Sequence, residues 1–244
     1  MADRAALITG GSSGIGLAIA RALGREGFAL TVSARRPDKL EEAVNGLVAE
    51  GIEAQAVPAN MTEEQDILRL RDAHRDRFGR LDVLVNNAGV GIGGPIEDHQ
   101  TKHLDIEIGA NLRATYIMLR ESIPMLKEAA SERGQAYIVN VASIAGKEGQ
   151  GWLGAYSATK AGIVALSQAA HAELATSGIK VTALCPAFVA TPMTEWMQGQ
   201  IPPEEMIAPE DIAEAVLFLL RTSRHCVIPE IQFIRPGDNF ASSG

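Results

Sequence analysis

Seven short apolar runs, each separated from the next by a stretch of helix length, constrain this chain more than any other feature of its sequence. The runs lie at 5–9, 28–34, 53–58, 81–86, 136–142, 179–185 and 230–234, and helices are expected near 14–26, 38–50, 62–78, 98–130, 155–177 and 209–222. Most of these runs are apolar throughout rather than at alternate residues. That pattern belongs to strands covered on both faces, which pair in parallel and are linked by helical crossovers. Right-handed crossovers leave a ligand site beyond the carboxyl ends of the strands. No long linker, repeat or low-complexity segment interrupts the alternation. The expectation is one α/β domain over 1–244, a doubly wound parallel sheet of about seven strands with helices on both faces.

The first crossover opens with TGGSSGIG at 9–16, between the first apolar run and the helical LAIARAL at 17–23. A strand, a glycine-rich turn and a helix together place a pyrophosphate against backbone N–H groups at the helix N-terminus. Gly10, Gly14 and Gly16 lack the Cβ that would block close approach of phosphate to backbone or of helix to strand. The spacing Gly-x-x-x-Gly-x-Gly differs from the more widespread Gly-x-Gly-x-x-Gly fingerprint.

A second pattern carries chemistry. In YSATK at 156–160, Tyr156 and Lys160 stand four residues apart, one helical turn, on one face. A phenol ionises near pH ~10 and is a poor acid or base at neutrality. A fixed ammonium beside it is expected to lower that pKa and make the tyrosine a usable proton donor and acceptor. Ser143 lies thirteen residues upstream, at the end of the fifth run. NNAG at 86–89 follows the fourth run directly, Asn111 sits within the long helical stretch in GANLR at 109–113, Pro186 follows the sixth run, and Thr191 comes shortly after.

These motifs, in this order and over nearly the whole length, resemble the short-chain dehydrogenase/reductase family in its compact single-domain form. The resemblance implies a Rossmann-type fold with strand order 3-2-1-4-5-6-7 and an NAD(P)-dependent oxidoreductase acting on CH–OH or C=O groups. It makes Tyr156 the proton donor to a carbonyl oxygen, Ser143 a hydrogen-bond partner of the same oxygen, and Lys160 the group that lowers the Tyr156 pKa and holds the nicotinamide ribose. Asn111 would hold a water that links the lysine to solvent; a helix-kinking amide is the alternative, since Asn is a poor mid-helix residue. Cofactor contacts are implied for Gly10, Ser12, Ser13, Gly14, Ile15 and Gly16 in the turn, and for Asn60 and Met61 near the adenine. They are also implied for Asn87, Ala88 and Gly89 under the adenosine, for Tyr156, Lys160, Pro186 and Val189, and for Thr191 at the nicotinamide carboxamide. A helix N-cap is a second use for Thr191. Three places depart from the family pattern: Asn60 where related enzymes usually carry Asp, Pro186-Ala187 where Pro-Gly is common, and 227–237 where many relatives carry a Val-Asp-Gly-Gly motif.

Cofactor choice should be written at the end of the second run. A carboxylate there would bind both ribose hydroxyls of NAD and repel the 2′-phosphate of NADP. The chain has Ala34 followed by Arg35 and Arg36, and guanidinium groups suit a phosphate. Ordinary loop charges are the alternative reading of the two arginines. NADP(H) is the preferred cofactor, with NAD(H) possible.

Composition sets limits on partners. A formal net charge of −8 argues against general affinity for nucleic acid or anionic membrane, and the densest basic stretch, 69–80, is interrupted by Asp72 and Asp76 and reads as a solvated helix face. Cys185 and Cys226, both in apolar segments, are too few for a disulfide framework, and no metal site is expected. The N-terminus runs straight into the first strand and no apolar run has membrane-spanning length, so a cytoplasmic enzyme is expected. Pocket walls are expected at 90–96, 144–153 and 187–207, the last as a small lid carrying Met193, Trp196, Met197 and Ile201 or, on the bland reading, as a surface helix. A homodimer or homotetramer is expected from the resemblance. Two other functions remain open: a nucleotide-binding redox sensor or scaffold without turnover, and a small epimerase or dehydratase using bound cofactor.

Overall fold

The seven apolar runs become seven strands of one parallel sheet, in the order β3-β2-β1-β4-β5-β6-β7. The computed structural model describes residues 3–236, so the last residue of the 227–237 segment lies outside the described residues. The strands are β1 Ala5–Thr9, β2 Ala29–Ala34, β3 Ala54–Pro58, β4 Val83–Asn86, β5 Ala136–Val141, β6 Ile179–Pro186 and β7 Glu230–Phe233. Register runs Ala5↔Ala29 to Thr9↔Ser33 between β1 and β2, and Ala6↔Val83 to Ile8↔Val85 between β1 and β4. The order reverses between β1 and β4, and that reversal opens a crevice beyond their carboxyl ends.

The period-two pleat explains why the runs are apolar throughout. In β1, Ala6 and Ile8 face one apolar cluster with Ile19 and Leu23 of α1 (Gly14–Arg25), Leu40 and Leu47 of α2 (Pro37–Ala49) and Val216 of α7 (Pro209–Arg221). Leu7, between them, faces the opposite cluster with Leu70 of α3 (Glu64–Phe78), Met118 and Leu126 of α5 (Ala114–Arg133) and Leu174 of α6 (Gly154–Leu174). Each fully buried leucine or isoleucine contributes about 1.5–3 kcal/mol by leaving water. The result is a single α/β Rossmann-like domain.

The long stretch expected as one helix over 98–130 is divided. A 3₁₀ turn at Ile96–Asp98 precedes α4 (Thr101–Glu107), a π-helical segment spans Ile108–Arg113, and α5 runs through Pro124 to a left-handed cap at Gly134. The π segment contains Asn111, and this kind of insertion is common at functional sites. The basic stretch is largely neutralised on the protein surface: Arg69 pairs with Asp66 at 2.8 Å, Arg71 with Glu121 at 2.7 Å and Arg80 with Asp82 at 2.6 Å. Among the described residues both cysteines are free. Cys185 is buried as its apolar segment implies, whereas Cys226 is exposed, because its segment forms a loop rather than a strand. Among the described residues no helix is long and apolar enough to cross a membrane.

Candidate active site

Beyond the strand ends lies a cleft of about 730 Å³, lined at one end by Ile15 and Thr191 and at its floor by Ser143, Tyr156 and Lys160. The glycine turn shapes the first end. Gly14 has φ 53°, a left-handed conformation, and a Cβ there would lie 2.8 Å from Thr191 Cγ2. A Cβ on Gly16 would lie 2.4 Å from the Gly10 carbonyl oxygen and from Asn87 Nδ2, so only glycine lets α1 begin this close to the turn. Ser13 caps α1 by position without a side-chain hydrogen bond, which leaves the first-turn amides of a twelve-residue helix without a side-chain cap. Asn87 holds the turn from the side, its Nδ2 donating to the carbonyls of Thr9 at 3.0 Å and Gly10 at 2.9 Å. Thr9 Oγ1 in turn accepts from the amides of Asn87 and Ala88.

The catalytic candidates converge from three elements. Ser143 lies two residues beyond β5, at the start of a 3₁₀ turn (Ile144–Gly146), where its Oγ accepts from the Ala145 amide at 3.1 Å and donates to the Pro186 carbonyl at 3.4 Å. Tyr156 and Lys160 lie one turn apart near the start of α6, with Lys160 Nζ 5.5 Å from the Tyr156 ring centroid. Lys160 is buried and its Nζ donates to the Val141 carbonyl at 2.8 Å. Burial lowers the Lys160 pKa from 10.5 to about 8.

Burial also pushes the Tyr156 phenol up to about 12; a hydrogen bond with Ser143 pulls it down and the charge of Glu107 adds to the rise. The lowering expected from Lys160 is therefore not seen in this arrangement. Desolvation governs the phenol, and the lysine points its proton at a backbone carbonyl rather than at the tyrosine oxygen.

Asn111 lies close to Lys160 but spends its amide elsewhere. Its Oδ1 accepts from the Val90 amide at 2.8 Å, and its Nδ2 donates to the Val90 carbonyl at 2.9 Å and to Thr159 Oγ1 at 3.0 Å. Gly89 fits between them: a Cβ there would lie 3.1 Å from Asn111 Oδ1 and 3.5 Å from Lys160 Nζ.

Around the adenine end the sequence expectations fare unevenly. Arg35 and Arg36 are exposed and, among the described residues, make no ion pair; Ala34 presents no carboxylate. Asn60 forms a local turn, its Oδ1 accepting from the Thr62 amide at 3.3 Å and its own amide donating to Asp66. The Met61 side chain packs in the core, which leaves its backbone as the part near the surface. Thr191 does cap a 3₁₀ turn, Pro192–Met197, and its amide donates to Thr194 Oγ1 at 3.2 Å. Val189 pairs with Ile207 in a parallel bridge that closes the 187–207 segment at its base. Within that segment Met197 and Ile201 pack inward with Met206, while Met193 and Trp196 are exposed beside the cleft. Pro186 and Ala187 hold ordinary backbone, and the Ala187 amide continues the ladder to the Phe233 carbonyl at 2.9 Å.

Glu107 was not legible as a site residue. It is fully buried beneath the cleft wall, its Oε1 accepting from the Ile92 amide at 2.9 Å and its Oε2 facing His99 Nε2 at 3.3 Å. Its position four residues before Asn111, on the same helical face, was the available signal.

The uncapped helix start, the glycine-only approaches and a cleft that continues to a serine, a tyrosine and a lysine together fit a dinucleotide cofactor. Fold and site thus define a nicotinamide-dependent oxidoreductase. The short chain dehydrogenase family model matches residues 4–200, and the chain belongs to that family. It is 34% identical over 236 residues to an uncharacterized oxidoreductase of Staphylococcus aureus (strain MRSA252), covering 97% of this chain and 98% of the relative. Among solved structures it is similar to an actinorhodin polyketide ketoreductase variant with NADPH (TM-score 0.86, 32% identity, 95% of this chain and 97% of that one). It is similarly close to a 3-ketoacyl-(acyl-carrier-protein) reductase from Brucella melitensis complexed with NADH (TM-score 0.86, 31% identity, 95% and 96%). The chain is accordingly a short-chain dehydrogenase/reductase that uses a nicotinamide cofactor on small-molecule substrates.

Proposed function

We propose that the chain is an NADP(H)-preferring reductase that moves a hydride between nicotinamide and a carbonyl or secondary alcohol, with Tyr156 as general acid/base. The observation that carries this reading is the convergence of Ser143, Tyr156 and Lys160 on the cleft that Ile15 and Thr191 also line. The nicotinamide, when bound, supplies or accepts the hydride. The Tyr156 phenol, held protonated by burial, is in the form that reduction consumes, and it gives its proton to the carbonyl oxygen. Ser143 Oγ donates to the same oxygen and stabilises charge as it develops there. Lys160, whose Nζ lies 5.5 Å from the Tyr156 ring centroid, is assigned to holding the nicotinamide ribose. With its amide engaged by Val90 and Thr159, Asn111 acts by position, holding the cleft wall that faces Lys160.

Arg35 and Arg36 support the NADP(H) preference, being uncommitted guanidinium groups beside a residue that offers no competing carboxylate. Asn60 and the backbone of Met61 are assigned to the adenine side, and the 187–207 segment acts as the lid over substrate. Exposed Leu104, Ile108 and Tyr116 on the 101–133 helical stretch support self-association as a dimer or tetramer. Two free cysteines among the described residues suit a reducing, cytoplasmic setting.

The test is NADPH consumption at neutral pH against ketones, aldehydes, diketones and 3-oxoacyl thioesters. Activity should appear on one group and vanish in Tyr156→Phe while NADPH binding persists. A Tyr156→Phe variant with near-normal rates would refute the mechanism. Tight NADPH binding without turnover on any class would favour the sensing role instead.

A further inference from the structure

We infer that Trp152 and Trp196 form a paired indole surface that selects neutral carbonyl compounds carrying an aryl group, an inference that rests on the reductase reading above. The two ring centroids stand 5.4 Å apart with planes tilted by 47°, and the edge of Trp196 meets Phe188 with centroids 6.4 Å apart. All three residues line the same cleft as Ser143 and Tyr156. Both indoles are nevertheless 52% exposed, so each leaves much of its apolar surface in water beside the site. Bulky aromatics kept exposed at the mouth of a cleft are surfaces for a ligand to cover.

Trp152 is placed there at a conformational cost. Among the described residues it is the one non-glycine residue with positive φ, at 69°. Large side chains occupy that region where the surroundings force them to, and such sites cluster at ligand clamps. Here the Trp152 carbonyl accepts from the Gly94 amide at 2.8 Å, and the indole lies against Gly93 so closely that a Cβ on residue 93 would sit 1.9 Å from Trp152 Cζ3. Gly93 is thus required by the placement of the ring.

The chemistry of the mouth defines what it takes. The gap between the two indoles is too narrow for a third ring to stack between them, so a ligand ring lies on the surface they make jointly. Charged ligands find little there. Lys147 is committed to Glu230 at 2.8 Å, Lys160 is buried at the floor, and 191–207 contains no lysine or arginine. Glu148, exposed on the lining, would repel an anion. The fitting substrate is neutral, with an aromatic ring a few atoms from the reacting carbonyl.

The test compares 4-phenyl-2-butanone with 4-cyclohexyl-2-butanone, which match in size and in their unconjugated ketone. The aryl ketone should be reduced with roughly tenfold higher kcat/KM, and the ratio should fall to near one in Trp152→Gly and Trp196→Leu. Glycine suits the positive φ at 152, so that variant keeps its fold.

A second readout does not need turnover. The chain's two tryptophans are these two, so its intrinsic indole emission reports this site alone. A saturable blue shift with the aryl ketone and none with the cyclohexyl ketone, in the presence of NADP⁺, supports the inference even if neither is reduced. Equal kcat/KM for the two ketones, a preference that survives both variants, or no shift where neither is reduced overturns it. Energy transfer from the indoles to bound NADPH is measured first. Its absence would refute the cofactor reading, whereas its presence with no aryl preference refutes only the inference about substrate.

Discussion

Replacing Lys160 by methionine should make the protein more stable while ending its activity. In the native fold the ammonium is buried, 3% exposed, and its pKa falls from 10.5 to about 8. Between those two values the unfolded chain binds more protons than the folded one, so the wild-type protein gains stability as pH rises through that window. Below it, both states are charged and the folded state bears the whole penalty, about 3 kcal/mol at about pH 7, falling to about 1.4 kcal/mol at about pH 9.5. Methionine fills a similar volume without the charge. It forgoes the hydrogen bond to the Val141 carbonyl, about 1 kcal/mol. The net expectation is a variant about 2 kcal/mol more stable than wild type near neutral pH, with the difference closing towards zero near about pH 9.5. For a chain of this length that corresponds to a Tm higher by about 4–8 °C. Thermal unfolding followed by circular dichroism without cofactor, at both pH values, gives the comparison. Measurements stop below the ordinary tyrosine pKa, because the raised Tyr156 phenol would then weaken the fold as pH climbs. A variant no more stable than wild type near pH ~7, or a gap that does not change with pH, would show that the ammonium is not held against a desolvation penalty.

Other expectations follow from the same geometry. His74 is fully buried between Thr31 Oγ1 and the Arg80 carbonyl, and burial lowers its pKa from 6.5 to about 4. The unfolded chain therefore binds the extra proton first, and about 3 kcal/mol of stability present above the unfolded pKa should be lost as pH falls through that window. Urea midpoints of wild type and His74→Gln should show a pH dependence that the variant lacks. Gly16→Ala should destabilise by about 1–3 kcal/mol and weaken NADPH binding, measured by calorimetry, because its Cβ meets the Gly10 carbonyl at 2.4 Å. Glu107→Gln keeps an acceptor for the Ile92 amide but removes the charge that raises the Tyr156 pKa. The pH profile of alcohol oxidation should then move to lower pH, and an unmoved profile would place Glu107 outside the electrostatics of the tyrosine. Arg35→Ala should lower the NADPH-over-NADH ratio of kcat/KM about tenfold, and an unchanged ratio would return the arginine to an ordinary loop charge.

The fold was written in short-range signals that a sequence displays directly. Continuous apolar runs marked the strands of a sheet covered on both faces, and the helices between them fell within a few residues of their observed bounds, except over 98–130, where one expected helix is divided. The glycine spacing at 10, 14 and 16 reflects local contacts a Cβ would violate, and the four-residue step from Tyr156 to Lys160 is helix geometry. Strand order came from the family resemblance, since periodicity carries no information about which strands are neighbours. Tertiary structure decided everything that depends on solvent and on distant partners. A pKa is set by burial and by charges from other elements, which is why the Tyr156 phenol rises where the neighbouring lysine alone suggested a fall. The two hydrogen bonds between the Asn111 side chain and the Val90 backbone, the burial of Glu107 under the cleft wall, and the meeting of Trp152 with Trp196 beside the cleft all join residues from separate segments. Contacts of that kind exist only once the sheet has brought those segments together. The chain by itself therefore determined the scaffold and marked the candidate reacting groups, while packing set their burial and the surface of the cleft beside them.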